Sequence, residues 1–351
     1  MKILLINVDS RWNLAIRRMY TYYTREGHDV EMRDLGLIGY PHKRKVKIDA
    51  TGFDRVFVSN IFELNAYRVE VEGCEAVEFG GIGSRDPERQ LRAEIEASPP
   101  YYKPDERTTY GFITRGCIRK CWFCKVPKYE GKLKAYNAVE SVVRGVQGEV
   151  VKFMDNNILA YPHHMDVFSW LIERGTRCEF NQGLDFRLVN DENLAALAAL
   201  NYEGEYIFAF DDPKYQPLLE RKTALIKKYI PKPWRLKFYI YYHPDMDLEL
   251  LIKRVEWCRD RECLPYVMRD SACWESENKN FLIDYAAYCN QPSFFKTHTF
   301  LEFLAKRDAK EDRKIRSYAT YLRAGGAVDP VTVAAFERWA QERAKGRRTT
   351  E

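Results

Sequence analysis

The first hundred residues alternate continuous apolar runs with amphipathic ones. Residues 2–8 (KILLINV) make a short run of the kind carried by a strand buried on both faces. Residues 13–27 then place Leu14, Ile16, Met19, Tyr20 and Tyr23 at helical spacing, with Gly27 as a stop. Further strands are predicted at 29–35, 53–62 and 75–81. Strand, helix and strand in this order predict a small parallel α/β sheet of the Rossmann-like, doubly wound kind over residues 1–100. The polar, proline-dotted stretch 84–110 reads as a connector, with a domain boundary near Tyr101.

From Tyr110 the pattern repeats strand then helix six times. The predicted strands are 111–115, 149–155, 178–186, 205–211, 236–242 and 264–270. Helices are predicted at 138–146, 164–175, 191–200, 217–229, 246–258 and 280–289. Six such units predict an open parallel (β/α)6 barrel over 101–292. In parallel barrels the C-terminal strand ends form the working face. Here those ends carry Asp155, Asn156 and Asn157, then Gln182 and Asp185, then Asp211 and Asp212, then His243, then Arg269 and Asp270. Two amphipathic helices, 300–326 and 330–346, separated at Gly325-Gly326 and restarted at Asp329-Pro330, predict a helical extension over 293–351.

Composition changes this picture in two places. No apolar run approaches the roughly 18 residues of a membrane span, and MKILLINV meets charged residues too soon for a signal peptide, so a cytoplasmic protein without membrane contact is expected. The net charge of +5 resides in the extension: residues 293–351 hold 13 Lys/Arg and 8 Asp/Glu, a difference of +5, so the remainder is neutral. That basic segment would suit a nucleic-acid backbone, although its interspersed acids favour a solvated helix face.

Nine cysteines, an odd number without a secreted framework's spacing, argue for thiols kept reduced rather than disulfides. Three of them, Cys117, Cys121 and Cys124, fall within TRGCIRKCWFCK. Thiolates select zinc or iron–sulfur centres; a closed zinc site wants a fourth ligand, and the next candidates in sequence are distant. Three cysteines on one loop match a [4Fe–4S] cluster with one iron left open. Cys258, Cys263, Cys273 and Cys289 lack compact spacing and read as buried structural thiols, with an auxiliary cluster as the alternative.

RGCIRKCWFC after a strand resembles the cluster loop of the radical S-adenosylmethionine superfamily, Cys-x3-Cys-x-aromatic-Cys, with Phe123 at the aromatic position. The surrounding YGFITRGCIRKCWFCKVPKYEG resembles the branch that includes methylthiotransferases and enzymes with an N-terminal cobalamin-binding domain. The resemblance implies that the open iron binds S-adenosylmethionine, that reduction by a donor such as flavodoxin or ferredoxin yields a 5′-deoxyadenosyl radical, and that this radical abstracts hydrogen from a substrate. It also implies cofactor contacts from Phe123, Asp155, Asn156, Gln182, Asp185, Arg187, Asp211, Asp212 and Arg269. The usual Gly-Gly-Glu after the second strand is replaced by FMDNN, so Asp155 and Asn156 stand in its place. Cobalamin domains often carry Asp-x-His-x-x-Gly, which is absent, so the first domain reads as degenerate. Cys273, just past the sixth strand, is a candidate hydrogen donor to a substrate radical. A cobalamin-assisted methyltransferase or methylthiotransferase acting on nucleic acid remains open, as does a zinc-bearing nucleic-acid-binding protein.

Overall fold

The computed structural model describes residues 1–10, 12–37, 45–326 and scattered positions from 330 to 341. The predicted helix 330–346 and the end of the basic tail lie largely outside the described residues. Two compact units divide the chain, Met1–Met154 and Asp155–Glu351. Both are mixed α/β with parallel strands, and no closed barrel is present among the described residues.

In the first unit, β1 (Lys2–Asn7), β2 (Asp29–Asp34), β4 (Arg55–Ser59) and β6 (Val77–Gly80) form a parallel sheet in the order β2-β1-β4-β6, with α1 (Leu14–Arg25) linking β1 to β2. Central β1 is buried on both faces, as its unbroken apolar run requires. Ile3 and Leu5 pack with Ile16, Met19 and Tyr23 of α1, whereas Leu4 and Ile6 pack with Ile48, Val56 and Val69. The second face is covered by two strands that the sequence pattern missed, β3 (Val46–Asp49) and β5 (Val69–Glu72), paired in parallel. They are short and alternate with charged residues, so no apolar run marks them.

The remainder of this unit corrects two expectations. The strand read at 111–115 is β7 (Thr108–Gly111), paired in parallel with β10 (Val150–Phe153), followed by β8 (Thr114–Arg115), which pairs antiparallel with β9 (Lys134–Ala135). The helix read at 138–146 is one turn, Val139–Val142, because Val143 is extended and Gly145 takes a positive φ of 71°.

In the second unit, β11 (Cys178–Phe180), β12 (Tyr206–Ala209), β13 (Leu236–Tyr242) and β14 (Leu264–Arg269) alternate with helices, and β12, β13 and β14 form one parallel sheet. Its packed side comprises Phe208, Phe238 and Trp257 with ring centroids 5.2–5.9 Å apart. The helix predicted at 300–326 is two helices, Phe300–Lys306 and Glu311–Arg323, since Arg307 leaves helical geometry. That turn lets Arg307 meet Asp284 at 2.7 Å, and Arg313 and Ser317 reach the same fully buried carboxylate, each at 2.7 Å. The extension is thereby fastened to the helix Lys279–Cys289. No helix among the described residues is long and apolar enough to cross a membrane.

Replacing Asp284 with Ala removes the common acceptor of two arginines and a serine. We expect a loss of about 3 kcal/mol in urea unfolding, the scale set by breaking a buried charge pair; a loss below about 0.5 kcal/mol would contradict this role.

Candidate functional site

The cysteine loop belongs to the first unit and is closed at its neck. β8 and β9 pair at its base, Arg115 meets Glu130 at 3.0 Å, and the Gly116 N–H donates to Glu130 at 2.9 Å. Gly116 has a φ of +81°, and a Cβ there would run into the Lys132 carbonyl, so glycine is required where the chain turns into the loop. Within it the Cys124 N–H donates to the Cys121 carbonyl at 3.0 Å and the Arg119 N–H to Cys117 Sγ at 3.3 Å. All three thiols are half-buried, and none of the nine cysteines forms a disulfide. Phe123 lies edge-on to Trp122 at 5.7 Å. The donor set suits a soft metal in kind and number. Among the described residues, however, no group of three or more His, Cys, Asp or Glu side chains is gathered to hold a metal ion. The loop supplies three thiols outside any disulfide without a ready-made metal site.

In open parallel sheets a ligand normally enters where strand order reverses, here between β1 and β4. The polar side chains at that position bond one another. Asn7 donates to the Ser10 carbonyl at 2.6 Å and to Asp34 at 2.7 Å, and Asn13 donates to Asn7 at 3.2 Å and Ser59 at 2.9 Å. Buried Asp9 accepts from the N–H groups of Ile61 and Phe62 and from Asn65. The only histidine described in this unit, His28, precedes β2 at the opposite end of the sheet. These residues do not fit a cobalamin with an axial histidine.

The strand ends of the second unit carry most of the other predicted residues. Asp155 is buried and Asn156 half-buried directly after the unit's start, while Gln182 is exposed. Asp185 accepts from Arg187 Nε at 2.5 Å and Nη2 at 3.0 Å and from Asn157 at 3.3 Å. Its role is therefore to hold Arg187, whose guanidinium also lies over Tyr215 at 5.1 Å. Asp212 caps the turn after β12 through the Lys214 N–H. The Arg269 guanidinium lies 4.5 Å from the centroid of Trp274.

Asp211 is half-buried at the end of β12 and accepts from the Tyr241 N–H at 3.0 Å. Burial pushes its carboxyl up to about 6, against the pull of that N–H and of Arg254 and Arg187. Neighbouring Tyr241 donates to Asp270 at 2.7 Å, and Asp270 also caps the turn at Ala272 and has His243 at 3.9 Å. Cys273 is buried with its Sγ 3.6 Å from the Tyr242 carbonyl, and burial pushes the thiol up to about 11, so it is neutral at pH 7. Cys258, Cys263 and Cys289 are buried too, and burial raises each, which disfavours the thiolate a metal needs.

The residue that the sequence reading missed is Arg254. It extends from the helix Leu248–Asp260, is fully buried, and donates from Nη1 to the carbonyls of Phe210, Asp211 and Tyr241 at 2.9–3.1 Å. The only sequence signal was an arginine set within the apolar stripe of LLIKRVEWC. The chain matches no protein-family model and no curated protein sequence.

A carboxyl that holds its proton to about 6 rather than the ordinary 3.8 binds it more tightly when folded. Its contribution is full below about pH 3.8 and lost as pH rises through 6, on the order of 3 kcal/mol for about two units. Asp211→Asn should therefore melt progressively higher relative to wild type between pH 4 and pH 7; a constant difference in Tm would exclude a raised Asp211.

Proposed function

We propose that the protein is a radical S-adenosylmethionine enzyme holding a [4Fe–4S] cluster through Cys117, Cys121 and Cys124. The supporting observation is the Cys-x3-Cys-x-Phe-Cys loop, with three half-buried thiols outside any disulfide, pinned at its neck by the antiparallel β8–β9 pair that follows the parallel strand β7. When bound, the cluster would supply the electron that cleaves the sulfonium of S-adenosylmethionine. The reading carries with it an open (β/α)6 barrel as the finer form of the parallel architecture, and an external electron donor of the flavodoxin or ferredoxin kind.

The chain's own residues take the following parts. Asp155 and Asn156 offer oxygen acceptors for the methionine ammonium. Asp211 accepts from the ribose hydroxyls, with Arg254 fixing the backbone beneath it. Arg187 and Arg269 provide cations for the carboxylate, and Asp185 positions Arg187. Phe123 packs beside the thiols, and Asp212 and Gln182 border the same strand ends. Cys273, a neutral buried thiol, is the candidate hydrogen-atom donor. We favour the form without cobalamin, because Asn7, Asp9, Asn13 and Ser59 at the crevice of the first unit are hydrogen-bonded within the chain and no described histidine lies there.

After anaerobic reconstitution with iron and sulfide and reduction in the presence of S-adenosylmethionine, wild type should release 5′-deoxyadenosine, measured by mass spectrometry. Cys121→Ala should bind little iron and release none, and Cys273→Ala should release as much as wild type. A colourless protein with stoichiometric zinc would overturn the reading in favour of a zinc-bearing binding module.

A further inference from the structure

Positive charge is concentrated in a second place besides the C-terminal extension. Residues 115–134 hold seven Lys/Arg and one acid, Glu130, a difference of +6 within twenty residues of a chain whose total is +5. Glu130 is committed to Arg115. Lys120, Lys132 and Lys134 are exposed and make no ion pair among the described residues, while Lys125 pairs with Glu63 and Lys128 lies 3.9 Å from Glu88. Large apolar side chains stand among these cations: Trp122 is 70% exposed and Ile118 49%. The Lys125–Glu63 pair ties the loop to a neighbouring segment with more of them, Phe62, Leu64 and the 69%-exposed Tyr67. An indole left in water costs free energy unless something covers it in the working state.

We propose that this loop is a docking surface for single-stranded nucleic acid, with Trp122 stacking on an unpaired base and Lys120, Lys132 and Lys134 meeting the phosphates. Single strands are held by this combination, a cationic track with aromatic faces that bases stack on. A duplex would leave the ring without an accessible base face, and an acidic protein would answer the charge without using the indole. The inference names the substrate class for the proposed reaction and rests on that reading only for the chemistry that follows binding.

The test is fluorescence anisotropy of a labelled 12-nucleotide oligouridine with the full-length protein, without reconstitution, from 50 to 200 mM KCl. Wild type should bind with a strong inverse salt dependence. Lys120→Ala/Lys132→Ala/Lys134→Ala should reduce the log–log salt slope by about 2, at about 0.7 per phosphate contact on a single strand. Trp122→Ala should weaken binding about 5- to 150-fold with the slope unchanged. Thermal melts of the variants test that each one folds. No binding at 50 mM, or loss of affinity only in Arg347→Glu/Arg348→Glu, would overturn the proposal. So would polyglutamate of matched charge competing as well as oligouridine with Trp122→Ala silent, which would mark the face of an acidic protein. Because no cofactor is present, a protein that cleaves S-adenosylmethionine without binding the strand defeats this inference alone, and one that binds without cleaving defeats the proposed reaction alone.

Discussion

Where a parallel strand ends, its backbone groups lose the ladder, and burying them unpaired costs roughly 1–3 kcal/mol each. Much of the polar chemistry of this protein meets that constraint. In the second unit a single buried guanidinium, Arg254, takes three carbonyls at the ends of β12 and β13. Desolvation lowers its pKa to about 10, so it remains a cation at neutral pH. The same cation holds the loop that presents Asp211. Fold and candidate site therefore share one side chain.

The first unit solves the same problem differently. Its strand ends are satisfied by neutral amides and one carboxylate: Asn7, Asn13, Asn60 and Asp9 bond one another and the adjoining backbone. A crevice so completely bonded has its donors and acceptors already spent on the chain. Any ligand entering it would have to replace those bonds at comparable strength.

The sequence revealed the parallel strands and most helices because buried strands such as 2–7 and 236–242 read as unbroken apolar runs and helices such as 216–229 keep a clean 3.6 period. It did not reveal β3 and β5, whose alternation of valine or isoleucine with lysine or glutamate is short enough to pass for loop. Nor did it reveal the break at Arg307, because the apolar spacing continues across the turn and only the distant carboxylate of Asp284 explains it. At the candidate site, cysteine spacing was legible since all three thiols lie on one segment. Arg254 and the Tyr241–Asp270 bond were not, since their partners lie on other elements and sequence spacing carries no record of them.

That difference bears on how the strand-end carboxylates can be read. Asp185 and Asp212 looked alike as strand-end carboxylates, yet one is spent on Arg187 and Asn157 and the other on its own turn, leaving Asp211 as the acid whose ionisation is set chiefly by burial. A carboxyl balanced near 6 changes charge within the range in which enzymes work, whereas one locked in an ion pair does not. The cysteine loop shows the converse economy, since its single acid is paired at the neck while Lys120, Lys132 and Lys134 remain exposed. Binding a polyanion there would draw on the charge of three exposed lysines that make no ion pair among the described residues.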